Sequence, residues 1–342
     1  MGKYYSEELN PKSQFRSEYE QSLSKYVDEQ LYERKKQRSL LITPKSYKED
    51  QEFYRQEFVK MLGFPLNLKS KTPKLLSKTK VVIDKNVNIY RMQFEVLDGV
   101  KFYGMYFEQV KNPELAPFII GQHGKEGTPE LCSSIYMDSS NYNHMIRRAT
   151  DMGANVFVPQ TLLWSENFYE EPYDRGALDA KLRQLGGCIT ALEVYIQSCL
   201  ITYFIEKEGV NASKIGALGL SYGGMYTIHL AAYDKRIKSA YACSWFNCTE
   251  ILSRMNDWCY KDAANSFGVA ETAALICPRA LVVSMGDKDQ IFDAKNTLIE
   301  SERLSEFYKE FNAEDKFLSY VFDGYHEFDL GDKGLKFFFN NL

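Results

Sequence analysis

A serine stands between glycines in the segment Gly219-Leu220-Ser221-Tyr222-Gly223-Gly224, between an apolar run at 214–218 and a helix-like run at 225–233. Small residues two positions before and after a serine allow a tight strand-to-helix turn that exposes the hydroxyl to the helix amides. A glycine-rich turn with an incidental serine explains the motif almost as well. A serine attacks a carbonyl only with a base beside it and an acid to orient that base. The motif therefore predicts a nucleophile only if the chain supplies both groups.

The chain has four histidines as candidates for the base: His123, His144, His229 and His326. His229 lies eight residues after Ser221 on the same predicted helix, too far along it to reach the hydroxyl, and His144 falls in a polar surface helix. His123 follows an early strand, and we expect it to shape its loop. His326 follows the last predicted strand, at the edge of the sheet where a base can reach the serine. We therefore predict His326 as the base, although a structural turn histidine explains that position equally well when it is taken alone.

Two carboxylates that could orient the base lie in Gly286-Asp287-Lys288-Asp289-Gln290, directly after the predicted strand 280–285. The residues alone allow either Asp287 or Asp289 to hold the imidazole. The order serine, aspartate, histidine, with each member after a late strand, is the order found in α/β-hydrolases. The three together indicate a triad much more strongly than the serine motif does alone.

A loop after the predicted strand 117–121, Gln122-His123-Gly124-Lys125-Glu126-Gly127, could hold the oxyanion that forms during acyl transfer. Its glycines allow the backbone amide of Gly124 or Lys125 to turn towards the serine. The amide of Tyr222, the residue after the nucleophile, would be the second donor.

The elements that must position these residues follow an α/β pattern. Short apolar runs predict strands at 117–121, 155–159, 214–218, 239–244, 280–285 and 317–322. Helical runs near 141–152, 178–208, 223–233, 293–311 and 330–341 separate or follow them. This alternation predicts a mostly parallel central sheet with helices on both faces. Two further runs, 88–97 and 100–109, flank Asp98-Gly99 and predict a β-hairpin.

Residues 1–75 form a separate unit in composition, rich in charged residues and tyrosine and poor in glycine. We predict a helical extension with helices at about 14–38 and 46–62, the second capped by Ser46 and Glu49. The polar, basic stretch 67–80 is interpreted as a solvated loop. Residues 76–342 are then the catalytic domain.

The bulk composition limits the partners. With 342 residues, a net charge of −4 and a pI of about 5.8, the chain has no electrostatic reason to bind nucleic acid or an anionic membrane. Seven scattered cysteines without a CxxC pair favour a reducing, cytoplasmic location over a disulfide framework or a zinc site. From the polar start we expect no leader, and we expect no membrane span because no apolar stretch approaches the required length. We expect no metal or cofactor, a small-molecule ester as partner, and a contact for a homo-oligomer in the N-terminal helices.

From about residue 119 to residue 328 the chain resembles the α/β-hydrolase superfamily. Within it, the chain is similar to dienelactone-hydrolase-like and acetyl xylan esterase-like carboxylesterases. The segments that carry the resemblance are Gln122-His123-Gly124, the serine motif 219–224, Cys277-Pro278-Arg279-Ala280-Leu281, Gly286-Asp287-Lys288-Asp289 and Gly324-Tyr325-His326-Glu327-Phe328. The resemblance implies that Asp289, which ends a Gly-x-x-Asp pattern, is the acid, with Asp287 as the fallback. Dienelactone hydrolases proper carry cysteine at the elbow, so serine here implies an esterase.

These features predict a serine carboxylesterase that hydrolyses small, acetyl-type esters, including esters of carbohydrates, through an acyl-enzyme. The alternatives are a prolyl-oligopeptidase-like peptidase or an acyltransferase on the same fold, or a non-catalytic binding protein. The absence of a large inserted helical lid favours small acyl groups. Trp164, Trp245 and Phe246 follow strands near the elbow, and they either line a substrate pocket or pack in the core.

Overall fold

The computed structural model describes residues 9–69, 71–136 and 138–342, with side chains from residue 13 onwards. Within them, nine strands form one sheet. The strands are β1 (Lys74–Ile83), β2 (Val87–Leu97), β3 (Val100–Gln109), β4 (Phe118–Gln122), β5 (Asn155–Pro159), β6 (Ile215–Leu220), β7 (Ile237–Cys243), β8 (Ala280–Gly286) and β9 (Phe317–Phe322).

The strand order is β1-β2-β3-β5-β4-β6-β7-β8-β9. The pairs from β1 to β5 are antiparallel, and all pairs from β5 to β9 are parallel. The carboxyl ends of β4 to β9 therefore meet at one edge, which is the edge where an open α/β sheet binds its ligands. The α/β class, the six predicted parallel strands and the hairpin of β2 and β3 are confirmed.

Helices cover both faces of the sheet. They are α1 (Leu9–Leu41), α2 (Pro44–Glu49), α3 (Gln51–Leu62), α4 (Pro129–Cys132), α5 (Met145–Asp151), α6 (Glu166–Tyr169), α7 (Arg175–Gln184), α8 (Ile189–Tyr203), α9 (Tyr222–Tyr233), α10 (Thr249–Leu252), α11 (Ala263–Ser266), α12 (Val269–Ala274), α13 (Ala294–Glu310) and α14 (Lys333–Asn340). Three short 3₁₀ turns, Ser140–Tyr142, Asn256–Trp258 and Glu314–Lys316, and a π-helical turn, Phe204–Glu208, complete the set.

The core forms two layers because successive strand residues point to opposite faces. In β4, Phe118 and Ile120 pack with α8 and α9 in the larger cluster, whereas Ile119 packs with α5 in the smaller one. All five residues of β4 and of β5 are buried, as expected for strands covered on both faces. Burial on both sides makes these strands read as continuous apolar runs in the sequence.

The interpretation of 67–80 as a solvated loop is wrong from residue 74 onwards, because β1 begins there. β1 is an edge strand that pairs only with β2 among the described strands and leaves most of its residues exposed or half-buried. Lysines on an exposed edge protect it against pairing with other chains, and they also hide the apolar alternation that marks a strand.

The N-terminal helices differ in detail from the prediction. The predicted helix 46–62 is two helices, α2 and α3, and the first is capped by Thr43 rather than Ser46. Asp50 ends α2 and caps α3 by accepting from the Phe53 N–H (3.0 Å). An aspartate that competes with the helix for backbone N–H groups explains the break.

The predicted helix 178–208 is also interrupted, since α7 and α8 are separate. The stretch 189–208 is long and apolar enough by composition to cross a membrane, contrary to the expectation that no apolar stretch approaches that length. Its apolar window is 78% buried inside the protein, so it packs here as a core helix.

Arg38 anchors the end of α1 in the rest of the protein. It is 2% exposed, donates to Ala264 O (3.0 Å) and lies 3.5 Å from the equally buried Glu271 carboxylate. Glu271 also pairs with Arg303 (2.5 Å). The helical extension is thus tied to α11, α12 and α13 by buried charges.

We predict that Arg38→Ala lowers the free energy of unfolding by about 3 kcal/mol, because it leaves part of the buried Glu271 charge unpaired. Denaturant unfolding checks this. The matched control is Lys25→Ala on the same helix, whose ion pair with Glu29 is exposed and should contribute under about 0.5 kcal/mol. Equal losses in the two variants would contradict the anchoring role.

Candidate active site

Ser221 sits at a strained turn between β6 and α9. Its backbone has φ 58° and ψ −122°, a conformation that side-chain-bearing residues rarely adopt and that costs about 1–3 kcal/mol. The turn is possible because the flanking glycines are bare. A Cβ on Gly223 would lie 2.1 Å from the Gln122 carbonyl oxygen, and one on Gly219 would lie 2.5 Å from Gly223. The Ser221 N–H donates to Cys243 O (2.9 Å), which ties the turn to β7.

His326 and Asp289 meet at the same edge of the sheet. The distance from His326 Nδ1 to Asp289 Oδ2 is 2.7 Å, and the Asp289 side chain is fully buried. Asp289 Oδ1 accepts from the backbone N–H groups of Ile291 (2.8 Å) and Phe292 (3.0 Å). This carboxylate is therefore held in place before any ligand arrives, and it can fix the tautomer that leaves Nε2 open.

Asp287 has a different position. Its Oδ1 accepts from the Gly324 N–H (3.0 Å), at the start of the turn that carries His326. Among the described residues it makes no hydrogen bond to the imidazole, so the geometry favours Asp289 over Asp287, in agreement with the family pattern. Asp287 instead shapes the turn.

The predicted nucleophile and the predicted base share no hydrogen bond within the residues that the structure describes. In the described part of the chain, neither Ser221 Oγ nor His326 Nε2 has a hydrogen-bond partner. Such bonds are often long without substrate and tighten in the complex. The assignment of the three residues as a triad stays a prediction that the geometry supports.

Hydrogen bonding distinguishes the two predicted donors, Gly124 and Lys125, in the loop 122–127, which we call the oxyanion loop after its predicted role. The Gly124 N–H already donates to the hydroxyl of Tyr142 (2.8 Å). In the ranges that the structure describes, the N–H groups of Lys125 and Tyr222 have no acceptor. Tyr222 opens α9, so its N–H has no partner within the helix. Of the predicted donors, Lys125 and Tyr222 are available for an oxyanion and Gly124 is not.

His123 shapes the oxyanion loop, as expected. Its Nε2 accepts from the Thr161 N–H (3.2 Å), so Nδ1 carries the proton and donates to Gly124 O (2.9 Å). Burial lowers the pKa of this histidine to about 4, partly offset by the bond to Gly124. An imidazole that is neutral and has both ring nitrogens in hydrogen bonds is not a base for Ser221.

A cavity of about 820 Å³ opens beside the elbow, with Lys125 and Tyr222 in its wall. Charged side chains make up eight of its sixteen lining residues: Lys125, Glu166, Asp174, Arg175, Asp179, Arg183, Arg254 and Asp257. Four of these charged residues pair with one another, as Arg175 with Asp257 and Arg183 with Asp179. The cavity wall is therefore mixed, with charged side chains beside apolar surface from residues such as Leu163, Tyr173 and Met255.

The predicted aromatic lining lies elsewhere. Phe246 is fully buried and Trp245 is 3% exposed, and both belong to the larger core cluster. Trp164 is half-buried, packs on Tyr173 (4.3 Å between ring centroids) and donates to Glu171 O. None of the three lines the cavity, so the core reading of Trp245 and Phe246 agrees with the structure.

Sequence reasoning missed a network of charged and hydroxyl side chains around Arg175, part of which lines the cavity in place of the predicted aromatic residues. Arg175 bonds Asp257 (2.8 Å) and the hydroxyl of Tyr226 (2.7 Å), and it lies 3.3 Å from Glu193. Asp257 accepts from the Tyr222 hydroxyl (3.1 Å). These residues come from four distant segments, and no local pattern marks them as a group.

Comparison with known proteins supports the fold. No protein-family model matches the sequence. Solved structures that are similar include a glucuronoyl esterase from Solibacter usitatus (TM-score 0.65, 13% identity, 87% of this chain and 93% of that chain) and a methylesterase (0.66, 18%, 91% and 67%). Acetyl xylan esterase 1 from Thermoanaerobacterium sp. is also similar (0.54, 13%, 85% and 93%). The chain therefore has the α/β-hydrolase fold, as the sequence predicts.

One curated protein shares sequence with the chain. Acylamino-acid-releasing enzyme 2 from Oryza sativa subsp. japonica is 27% identical over 181 residues. The match covers 51% of this chain and only 21% of that enzyme. The chain thus spans a small part of this relative's length.

Two buried histidines make stability depend on pH. Burial also lowers the pKa of His229 to about 4, while its Nδ1 donates to Met225 O (2.8 Å). Because the folded pKa of each histidine lies below the usual 6.5, the unfolded chain takes up protons first as the pH falls. We predict that each histidine removes roughly 2 kcal/mol of stability between pH 7 and pH 5.

Denaturant unfolding of wild type and His229→Leu at pH 7 and pH 5 checks this. The variant should lose about 2 kcal/mol less over that interval. Leu230→Ala, a buried apolar change on the same helix, serves as the control and should keep the wild-type dependence, because it removes no titratable group. An unchanged dependence in His229→Leu would refute the prediction.

Proposed function

We propose that the protein is a serine carboxylesterase that hydrolyses small-acyl esters through a covalent acyl-enzyme. The observation that carries the proposal is the buried Asp289 carboxylate, 2.7 Å from His326 Nδ1, at the sheet edge where Ser221 occupies its strained turn. The esterases among the structural neighbours add to it. The finer likeness to dienelactone hydrolases stays a prediction.

In the proposed mechanism, His326 takes the proton of Ser221 at Nε2 as the hydroxyl oxygen attacks the ester carbonyl carbon. The N–H groups of Lys125 and Tyr222 donate to the oxyanion. The tetrahedral intermediate then collapses, and the imidazolium returns its proton to the departing alcohol. Water attacks the acyl-enzyme with His326 again as base, and the acid leaves. Asp289 stabilises the imidazolium in both steps.

The cavity supports a polar alcohol rather than a long acyl chain. The lining includes charged side chains that have no ion-pair partner among the described residues, such as Lys125 and Arg254, and a long alkyl chain would have to desolvate them. It suits hydroxyl groups well. A carbohydrate ester, the kind of substrate named for the acetyl xylan esterase neighbour, fits this chemistry.

A second candidate is the hydrolysis of acylated peptides. The sequence match to an acylamino-acid-releasing enzyme favours it, although only about a fifth of that enzyme is matched. The same triad can cleave an amide, since the chemistry differs mainly in the leaving group.

We also propose that the protein acts in the cytoplasm on a small molecule. The mildly acidic net charge of −4 and the scattered cysteines support this. A homo-oligomer through the N-terminal helices stays part of the proposal, since α1 carries exposed apolar side chains such as Tyr19 and Leu31.

Variants of Ser221, Asp289 and Asp287 should lower kcat by three different amounts. We predict that Ser221→Ala lowers kcat by about 10⁶-fold and Asp289→Asn by about 10⁴-fold, because the latter permits the wrong tautomer. Asp287→Asn should cost only about tenfold, since it disturbs the turn and not the imidazole. Initial rates on an aryl acetate measure this, with the exposed Asp315→Asn as control. A greater loss at Asp287 than at Asp289 would reverse the assignment.

A substrate series distinguishes the candidate functions. We predict that kcat/KM falls at least about tenfold from aryl acetate to aryl octanoate, because a long acyl chain would have to desolvate charged side chains of the cavity. Rates on an N-acetyl-alanine anilide should lie far below those on the acetate. A faster anilide would favour the peptidase, and rising rates with chain length would show that apolar rather than charged parts of the wall receive the acyl chain. No turnover of any of these substrates, together with no labelling of Ser221 by a fluorophosphonate, would favour a non-catalytic binding protein.

A further inference from the structure

Three consecutive residues, Asn141, Tyr142 and Asn143, connect the two halves of the candidate site. We call them the 141–143 bridge. They end the 3₁₀ turn Ser140–Tyr142 and precede α5. From sequence they read as the start of a helix, and nothing in the proposed mechanism uses them.

One side of the bridge holds the oxyanion loop. The buried Tyr142 hydroxyl accepts from the Gly124 N–H (2.8 Å) and lies in a slot between two glycines. A Cβ on Gly127 would lie 2.2 Å from that hydroxyl, and one on Gly124 would lie 3.2 Å from Ser221 Cβ. The bond therefore sets the backbone directly before the predicted donor Lys125.

The other side of the bridge holds the histidine loop. Asn141 Nδ2 donates to His326 O (3.0 Å), and Asn141 O accepts from the Phe328 N–H (2.8 Å). Asn143 Nδ2 donates to Glu327 Oε2 (2.8 Å) and to Phe328 O (2.7 Å). Four hydrogen bonds thus join this short segment to three successive residues of that loop.

The backbone of the bridge is preorganised for this role. Asn143 and His144 both adopt left-handed conformations, with φ 48° and 55°, which asparagine and histidine tolerate better than most residues. The His144 N–H donates to the buried Ser139 Oγ (2.8 Å), which closes the turn from behind. An ordinary helical path would point the three side chains elsewhere.

We propose that the 141–143 bridge positions the oxyanion loop and the histidine loop relative to each other, so that its residues are positioning residues for catalysis. This inference rests on the proposed function for its kinetic consequences. An oxyanion donor and a base act on the same tetrahedral centre, and a misplacement of about 1 Å between them can cost about 10²-fold in rate. Beyond Gln122, which ends β4, neither loop belongs to the sheet, so the bridge ties them together where the strands do not.

The kinetic test removes one hydroxyl. Tyr142→Phe keeps the buried ring and frees the Gly124 N–H, and kcat should fall by about 10- to 100-fold while KM stays within about threefold. The matched control is Tyr308→Phe. Tyr308 is equally buried, and its hydroxyl donates to Arg279 O (2.8 Å) before the start of β8, at the opposite edge of the sheet.

The control should lose similar thermal stability and keep kcat within about twofold, because its bond is equivalent but lies far from the site. Equal losses of kcat in both variants would reduce Tyr142 to a structural role. A kcat within about twofold of wild type in Tyr142→Phe would overturn the proposal. Ser221→Ala, assayed in parallel, reports separately whether the proposed function itself holds.

Hydrogen exchange followed by mass spectrometry tests the coupling without any activity. Asn143→Ala should increase amide exchange in the histidine loop, 324–328, which it contacts. It should also increase exchange in the oxyanion loop, 122–127, which it does not contact. Asn155→Ala is the control, since Asn155 is buried and bonds Pro113 O (2.6 Å) at the opposite edge. If Asn143→Ala increases exchange only in the histidine loop, the two loops are anchored independently and the bridge is refuted.

Discussion

The close approach of the elbow to the Gln122 carbonyl is the constraint on which the site depends. Gly219 and Gly223 leave no room for a side chain there, and the strained conformation of Ser221 follows from that contact. Strain of about 1–3 kcal/mol persists only where surrounding structure holds it. Here β4, β6 and β7 hold it, because they pair side by side, β4 and β6 are fully buried, and β7 exposes only Lys238. The parallel sheet thus supplies both the position of the predicted nucleophile and the rigidity that keeps its strained turn.

The other parts of the site lie on loops, and polar side chains give these loops their shape. His123, Asp287 and Asp289 each bond backbone groups within or beside the loop they serve. A loop carries unpaired backbone groups that strands would pair, so side chains must satisfy them if the loop is to be buried. The polar residues around the predicted triad therefore do two things at once, since they satisfy backbone groups and position the side chains that the proposed mechanism uses.

The sequence was sufficient where a pattern is local. Buried parallel strands read as apolar runs, and the glycines of the elbow, the pair Asp287 and Asp289, and His326 stand directly after them. It was insufficient where the decisive contact joins distant segments. The choice between Gly124 and Lys125 depends on a hydroxyl 18 residues away, and Arg175 meets Asp257 from 82 positions earlier. The edge strand β1 was missed for a different reason, because solvent exposure replaces apolar alternation with lysines.

The N-terminal extension contributes to the cavity through the segment between β7 and β8. Arg38 is buried against Glu271, and Lys35 pairs with Glu250 (2.8 Å), at the two ends of that segment. Between these ties lie Met255 and Asp257, which line the cavity, and Asp257 also accepts from the Tyr222 hydroxyl. A segment without sheet pairing of its own is held by what packs behind it. The extension is therefore better described as the outer support of the cavity wall than as an independent appendage, and a change in α1 near Arg38 acts on the candidate site through that wall.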